Sequence, residues 1–218
     1  MPLFPYPPTR SLRLALIPLG IGLNMSLGTI VSMLKLPIYL DMIGTIVVTI
    51  LSGLWAGVLT ATLTQLIVSA TVNPIYYNFI PTAVAVALFT HIAARKGAFR
   101  TMGRTVLAGM AMGLVSGVVS APIIVYVFGG IVATGRSVMT AYLLSTGEQV
   151  LKAVLLTGAA AEPVDKVLQC VLSVWCINSV PKSLLQHFKE TGDHAVAITQ
   201  RAWVPVTEVS QKISLSIH

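Results

Sequence analysis

The chain has 218 residues, of which 55% are hydrophobic and only 10% are charged. Its mean hydropathy is +0.85, whereas a soluble chain of average composition carries about 25% charged residues. The composition therefore excludes an ordinary soluble domain, a disordered tail and a fibrous repeat, and it predicts a protein that folds in a lipid bilayer.

The basic residues are scattered between apolar runs, although the net charge is +7. Charges distributed in this way favour an orienting role at a membrane over contact with nucleic acid. Cys170 and Cys176 lie in one apolar run without a histidine nearby, which indicates packing residues and excludes a disulfide framework and a zinc cluster. Residues 2–8 are too rich in proline for a helical signal core, so we expect the first apolar run to be retained.

The first part of the chain predicts three membrane spans. A bilayer core about 30 Å thick requires about 20 apolar residues of helix, and residues 12–34 meet this length. Pro37 then interrupts the helix, because proline disfavours helical backbone in the residue before it. Residues 42–70 are apolar but too long for one span, and the glycines and tryptophan of residues 52–57 predict a tight turn near their middle. We therefore predict two short spans here, the first beginning near Leu36.

The second part of the chain predicts three more spans. The fourth covers about residues 80–94, the fifth about 105–128 and the sixth 164–180. Residues 141–161 are almost apolar enough for a seventh span, but charged and amide side chains interrupt them. We interpret this stretch as a helix that lies over or dips into the exterior face, acting as a lid or a re-entrant helix.

The positive-inside rule fixes the number and direction of the spans. With a cytoplasmic N-terminus, six spans place most basic residues of the loops and ends in the cytoplasm: Arg10, Arg13, Arg95, Lys96, Arg100, Arg104, Lys182 and Lys189. A seventh span would move Lys182 and Lys189 to the exterior. The prediction is an all-α, multi-pass protein of the cell (inner) membrane, with six transmembrane helices and both termini in the cytoplasm.

Three segments follow from this topology. Residues 1–11 are predicted to form a cytoplasmic N-terminal segment, residues 12–190 the six-helix transmembrane domain, and residues 191–218 a cytoplasmic tail. Any ligand site is therefore expected within residues 12–190.

The acidic residues of the transmembrane domain are predicted to gather at the exterior face. Asp41 opens the second span, Glu162 and Asp165 open the sixth, and Glu148 belongs to the exterior segment before it. One interpretation is that these carboxylates cap helix N-termini, where the helix dipole favours negative charge. The other is that they contact a ligand at the rim of the bundle, because polar groups at membrane depth are costly and usually face the interior.

Amide and aromatic side chains extend the same predicted site. Asn24 and Gln65 lie in the middle of the first and third spans. Further candidates lie in the two loops that reach the exterior beside these spans: Tyr39, Asn73, Tyr76, Tyr77 and Asn78. Aromatic faces stack on planar molecules and amides bind their edges, so the pattern predicts a small planar ligand. For the adjacent tyrosines the alternative is an interfacial aromatic belt.

The sequence contains no recognisable enzymatic constellation. It has no phosphate-binding lysine loop, no histidine cluster with metal-ligand spacing and no nucleophile–base pair. We therefore expect a protein that is not an enzyme, with no cofactor, no metal and no ATPase of its own.

Small residues recur at helical spacing on two predicted spans. Gly22–Ser26 and Gly28–Ser32 mark the first span, and Gly109, Gly113 and Gly117 mark the fifth. Such faces allow helices to approach closely. They serve either packing inside the bundle or docking of a partner subunit.

Three short motifs stand in order on the predicted spans. They are Leu-Pro-Ile-Tyr-Leu-Asp-Met-Ile-Gly-Thr at 36–45, Gly-Leu-Trp-Ala-Gly at 53–57 and Glu-Pro-Val-Asp-Lys at 162–166, and Pro-Lys follows the last span at 181–182. In this order and spacing the chain resembles the substrate-binding S component of energy-coupling factor (ECF) vitamin transporters, over roughly residues 12–190.

The resemblance implies a six-helix protein that captures a vitamin or related micronutrient at its outward face. Members of the family associate with a transmembrane coupling subunit and two ATP-binding subunits, whose ATP hydrolysis drives uptake. Within the family, the chain looks most like members that bind queuosine precursors or pyrimidine- and pyridoxine-type vitamins. Carboxylates such as Asp41 and Glu162 would accept hydrogen bonds from the amino edge of either kind of ring. The first span lacks the Ala-x-x-x-Ala docking pattern, so the docking face is left open.

Two other functions are compatible with the composition. A membrane sensor or interaction module would bind a ligand only to signal, but the tail of roughly thirty residues is short for an output domain. A stand-alone secondary transporter would couple uptake to protons through an intramembrane acid. Neither a carboxylate in the middle of a predicted span nor an inverted repeat supports the transporter alternative.

Overall fold

The computed structural model describes residues 9–34, 38–130, 132, 137–145, 147 and 149–180. These residues form helices and the loops between them, without a β-strand. Seven α-helices and one 3₁₀ helix follow one another in this part of the chain: α1 Thr9–Met33, α2 Ile43–Ser52, α3 Leu54–Thr71, the 3₁₀ helix Pro74–Phe79, α4 Ile80–Arg95, α5 Met102–Phe128, α6 Ser137–Ser145 and α7 Val150–Ser179.

Four helical segments are long and apolar enough to cross a membrane: Leu14–Met33, Leu54–Thr71, Pro74–Arg95 and Met102–Phe128. They correspond to the predicted first, third, fourth and fifth spans, and they support a multi-pass membrane protein. The two remaining predicted spans differ from this pattern for opposite reasons. With 10 residues, α2 is short for a bilayer core, whereas the 30 residues of α7 are long enough but include charged side chains.

The predicted turn between the second and third spans is confirmed. Gly53 separates α2 from α3 with a φ of 88°, a conformation that side chains disfavour. Gly57 then packs directly on Thr49, so the two helices lie against each other beyond the turn. Trp55 is 79% exposed beside this turn, and its place at a membrane interface stays a prediction.

The short helix α2 lies at the centre of the bundle. Nine of its ten residues are buried, and it packs against α1, α3, α4 and α7. Ile46, Ile50 and Leu51 form the main apolar core together with residues of α4, α5 and α7. Cys170 belongs to this core, which confirms its interpretation as a packing residue, and Cys176 is a free thiol of intermediate burial.

The prediction for residues 141–161 and for the start of the sixth span is corrected by the structure. Residues 141–145 end α6, while residues 150–161 form the first part of α7, which continues through Pro163 to Ser179. Glu162 and Asp165 therefore do not open a helix but lie in the middle of one. Proline inside a membrane helix is tolerated where neighbouring helices and polar groups compensate for its missing N–H, and Pro163 packs closely on Gly113 of α5.

Glycines of α5 form an antiparallel contact with α7. Gly109 faces Val167, Gly113 faces Pro163 and Gly117 faces Gly158. The small-residue face of the predicted fifth span is thus used for packing inside the protein. The glycines of α1 differ in their contacts. Gly28 packs against Asp41, whereas a Cβ added at Gly22 would meet no atom within 4 Å.

We expect Gly109→Ala to destabilise the protein by about 1–3 kcal/mol, because overpacking a tight contact forces the backbone apart. Its new Cβ would lie 2.6 Å from the Cα atom of Val167. The matched control is Gly22→Ala, whose Cβ would meet nothing within 4 Å. Thermal unfolding of both variants in one detergent measures the difference, and equal unfolding midpoints would contradict the α5–α7 contact.

Candidate ligand-binding site

Charged and amide side chains form a buried cluster in the middle of α7. Asp165 Oδ2 accepts hydrogen bonds from Lys166 Nζ at 2.7 Å and from Gln169 Nε2 at 2.8 Å. Lys166 Nζ also lies 3.9 Å from Glu162 Oε2, and Glu162 accepts a hydrogen bond from Ser116 of α5 at 3.0 Å. Each buried charge of this cluster therefore has a partner within the protein, which a low-dielectric interior demands.

The same cluster holds the loop that precedes α2. Asp165 Oδ1 accepts hydrogen bonds from the backbone N–H groups of Tyr39 at 2.9 Å and Leu40 at 3.2 Å. Gln169 Oε1 accepts one from the backbone N–H of Met42 at 3.1 Å. Leu40 has a φ of 50°, a left-handed conformation that costs roughly 1–2 kcal/mol for a residue with a side chain. The contacts from α7 keep the loop in this unfavourable shape.

Asn24 of α1 caps α2 from outside that helix. Its Oδ1 accepts hydrogen bonds from the backbone N–H groups of Gly44 at 2.7 Å and Thr45 at 3.3 Å. Its Nδ2 donates to the hydroxyl oxygens of Thr45 at 2.9 Å and Thr64 at 3.2 Å. The first N–H groups of a helix have no partner within it, and the residue before α2, Met42, offers no side-chain cap. The amide of Asn24 therefore serves the fold.

A cavity of about 150 Å³ lies between α1 and α3, beside the loop that precedes α2. Its polar lining comes from four segments: Asn24, Thr29 and Ser32 of α1, Asp41 of the loop, Thr64 and Gln65 of α3, and Tyr76 of the 3₁₀ helix. Apolar side chains, among them Met25 and Val68, complete the wall. A mostly apolar wall with a few polar groups is typical of small-molecule sites.

Two residues that line this cavity carry an acceptor atom that is buried without a hydrogen-bond partner in the described part of the protein. The atoms are Oδ1 of Asp41 and Oε1 of Gln65, and the Gln65 residue is only 2% exposed. Leaving a buried polar group unpaired costs about 1–3 kcal/mol, more for a charged group. A ligand in the cavity that reaches either atom with a hydrogen-bond donor would recover this cost.

Asp41 has an electrostatic environment of its own in the loop. Burial raises the pKa of its carboxyl group to about 6, against the opposing effect of the Lys166 ammonium group. The neighbouring carboxylates of Asp165 and Glu162 raise it further. A positively charged ligand beside Asp41 would favour the ionised carboxylate, because an opposite charge nearby stabilises it.

The structure brings four of the predicted site residues to one cavity: Asn24, Asp41, Gln65 and Tyr76. Glu162 and Asp165 instead belong to the cluster on α7, and Tyr39 is bound to that cluster through its main chain. For Asp165 the structure agrees better with the capping interpretation than with ligand contact, although Asp165 caps the loop before α2 and not its own helix.

The remaining predicted site residues lie elsewhere. Asn73 accepts a hydrogen bond from the Ile75 N–H at 3.1 Å and starts the 3₁₀ helix, and Asn78 donates to the Ile75 carbonyl at 3.4 Å. Tyr77 is 61% exposed. Glu148 lies outside the described residues, and none of the described residues of 141–161 lines the cavity.

Sequence reasoning missed Lys166, Gln169, Ser116 and Thr64 as parts of this arrangement. A usable signal existed for two of them, because Glu162 and Lys166, like Asp165 and Gln169, are four residues apart and share one face of a helix. Ser116 and Thr64 stand among many membrane-helix hydroxyl residues that only pack, so nothing in the sequence distinguishes them.

No family model matches the chain, and neither a curated protein nor a solved structure is significantly similar to it. The interpretation of the site therefore depends on its own geometry and chemistry.

We expect Asn24→Leu to destabilise the protein by about 2–5 kcal/mol, because it leaves two buried N–H groups of α2 without acceptors and each costs about 1–3 kcal/mol. Asn78→Leu is the matched control, since the Asn78 amide donates over 3.4 Å in a partly buried position. Unfolding of both variants by heat in the same detergent gives the comparison. A variant at residue 24 as stable as the control would show that α2 does not need this cap.

Proposed function

We propose that this chain is the membrane-embedded substrate-capture subunit of an ECF-type importer, binding a small heterocyclic vitamin or micronutrient from the exterior. The observation that carries the proposal is the cavity beside the loop before α2, where two buried acceptor atoms of Asp41 and Gln65 lack partners among the described residues. A cavity built in this way stabilises a bound molecule without requiring chemistry on it.

The positions of the resemblance motifs support this proposal. The motif at 36–45 and the motif at 162–166 are far apart in sequence, yet Asp165 accepts hydrogen bonds from Tyr39 and Leu40. Asp41 of the first motif then lines the cavity. Motifs that meet in space beside a ligand-sized cavity favour a shared role in ligand binding over coincidence in the sequence.

In the proposed topology, α2 and α7 are the two spans additional to the four apolar segments. Placing Arg95, Lys96 and Arg100 in the cytoplasm agrees with the positive-inside rule and puts the cavity towards the exterior. The coupling subunit and two ATP-binding subunits of an ECF module would supply the ATP hydrolysis for uptake.

One observation favours a second candidate, a stand-alone secondary transporter. Glu162, Asp165 and Lys166 lie buried in the middle of α7, whereas the sequence argument against this candidate assumed that no carboxylate lies mid-span. Buried ionisable groups in membrane helices often mark proton pathways. The two candidates differ in their energy source, which makes them separable.

We expect uptake to require the partner subunits and ATP. The substrate is first identified by mass spectrometry of small molecules that co-purify with the full chain. Liposomes then carry the chain alone, with a proton gradient, or the chain with coupling and ATP-binding subunits. Accumulation only in the second case, insensitive to a protonophore, agrees with the proposal, whereas protonophore-sensitive uptake by the chain alone establishes the secondary transporter.

The proposed topology predicts a cytoplasmic C-terminal end. A reporter enzyme that is active only outside the cytoplasm should be inactive when fused after Phe188 and active when fused after Asn73. The opposite pattern at Phe188, with both fusion proteins present in equal amounts, would contradict the six-span arrangement.

A further inference from the structure

We infer that the cavity between α1 and α3 binds a single-ring organic cation whose N–H groups donate to Asp41 Oδ1 and Gln65 Oε1. Protonated amidines and protonated amino-heterocycles have this chemistry. The inference depends on the proposed function only for its physiological meaning, and it names the class of substrate that the capture subunit would take.

The volume of the cavity suits a single ring. Its volume of about 150 Å³ lies below the roughly 300–1,000 Å³ of sites for drug-sized ligands. An apolar cavity of about 150 Å³ accommodates a benzene-sized molecule. A six-membered ring with a small substituent therefore fits, and a fused bicyclic ring fits less well.

The two acceptor atoms without partners in the described part of the chain favour a ligand that donates hydrogen bonds. The two atoms without partners among the described residues are an oxygen of a carboxylate and the oxygen of an amide, and a carboxylate accepts hydrogen bonds without donating any when it is ionised. Asn24 does not change this balance, because its amide group already makes four hydrogen bonds within the protein. A ligand with two or more N–H groups can offer one donor to each of these acceptors.

The charges around the cavity select a cation. Among the described residues, the charged groups that interact electrostatically with Asp41 are Lys166, Asp165 and Glu162 of α7. Tyr76 of the 3₁₀ helix in turn interacts with Asp41 and with Tyr39 of the loop. With the carboxyl groups ionised, three negative charges stand against one positive charge. The ammonium group of Lys166 is held by Asp165 and Glu162, and within the described part of the chain it is the one cation that acts on Asp41, so a cationic ligand would improve the charge balance there.

Binding of three probes to the purified full chain in lipid nanodiscs tests the inference. Benzamidine is a single-ring cation with N–H donors, benzamide is its neutral analogue of nearly the same shape, and naphthalene-2-carboxamidine is a bicyclic cation. We expect benzamidine to bind at least about tenfold more tightly than benzamide, since a hydrogen bond to a charged group is worth a factor of about ten or more. We expect it also to bind more tightly than the bicyclic cation.

Two substitutions test whether Asp41 and Gln65 are the acceptors that bind benzamidine. Asp41→Asn should remove the preference for benzamidine over benzamide, and Gln65→Met should weaken benzamidine binding by about tenfold. Gln149→Met is the matched control, because Gln149 is an exposed amide that does not line the cavity. Benzamidine remains a cation between pH 5 and 8, so its affinity should rise with pH through about 6 as Asp41 ionises, and this rise should vanish in Asp41→Asn.

Equal binding of benzamidine and benzamide, no detectable binding of benzamidine, or an unchanged preference in Asp41→Asn would each overturn the inference. If Asp41→Asn does not fold, the comparison of the probes on the parent chain and the effect of Gln65→Met decide the question. ATP-driven uptake of a neutral or bicyclic substrate would overturn this inference and leave the proposed function intact. A preference for the cation without any ATP-dependent uptake would overturn the proposed function and leave this inference intact.

Discussion

The structure of the helical bundle depends on the acceptors that bind the first N–H groups of the short helix α2. A helix that begins inside an apolar bundle exposes several donors that neither water nor lipid can meet there. In this protein the acceptors come from two other helices, with Asn24 of α1 bound to Gly44 and Thr45, and Gln169 of α7 bound to Met42. These contacts fix the start of α2, and with it the position of the loop that carries Asp41.

Because of that requirement, some polar residues hold the start of α2 in place and others line the cavity. Asp165 uses both carboxylate oxygens for the loop, Lys166 and Gln169, so it has little capacity left for a ligand. Asp41 and Gln65 line the cavity, and each has an acceptor atom without a partner in the described part of the protein. Residues that look alike in the sequence thus separate into those that maintain the fold and those that are free to bind.

Much of the fold was predictable because hydropathy and turn chemistry are local. Gly53 between two apolar runs located the α2–α3 turn, and four long apolar helices appeared where the composition placed them. The continuity of α7 was not predictable in this way. Pro163 and its acidic neighbours resemble a helix boundary, whereas Gly113 of α5 accommodates the proline and Lys166 pairs with both acids. Such compensation is invisible until the partners are in place.

The candidate site was predictable to a similar degree. Asp41, Gln65 and Tyr76 could be grouped because segments that emerge at one end of a bundle must meet there, and the structure brings them to one cavity. The capping role of Asn24 could not be foreseen, since no sequence pattern shows which distant backbone N–H groups lack an acceptor. Asp165 was ambiguous for the same reason.

The close approach of Gly20 and Gly44 has a consequence for how this sequence can vary. A Cβ at residue 44 would collide with the carbonyl oxygen of Gly20, and Gly20 lies one helical turn before Asn24 on α1. The amide of residue 24 therefore reaches the backbone of α2 only while residues 20 and 44 have no side chains. A side chain at residue 44 would press on the backbone of residue 20, and no substitution at residue 20 can relieve that contact, so the cap from Asn24 constrains both glycine positions.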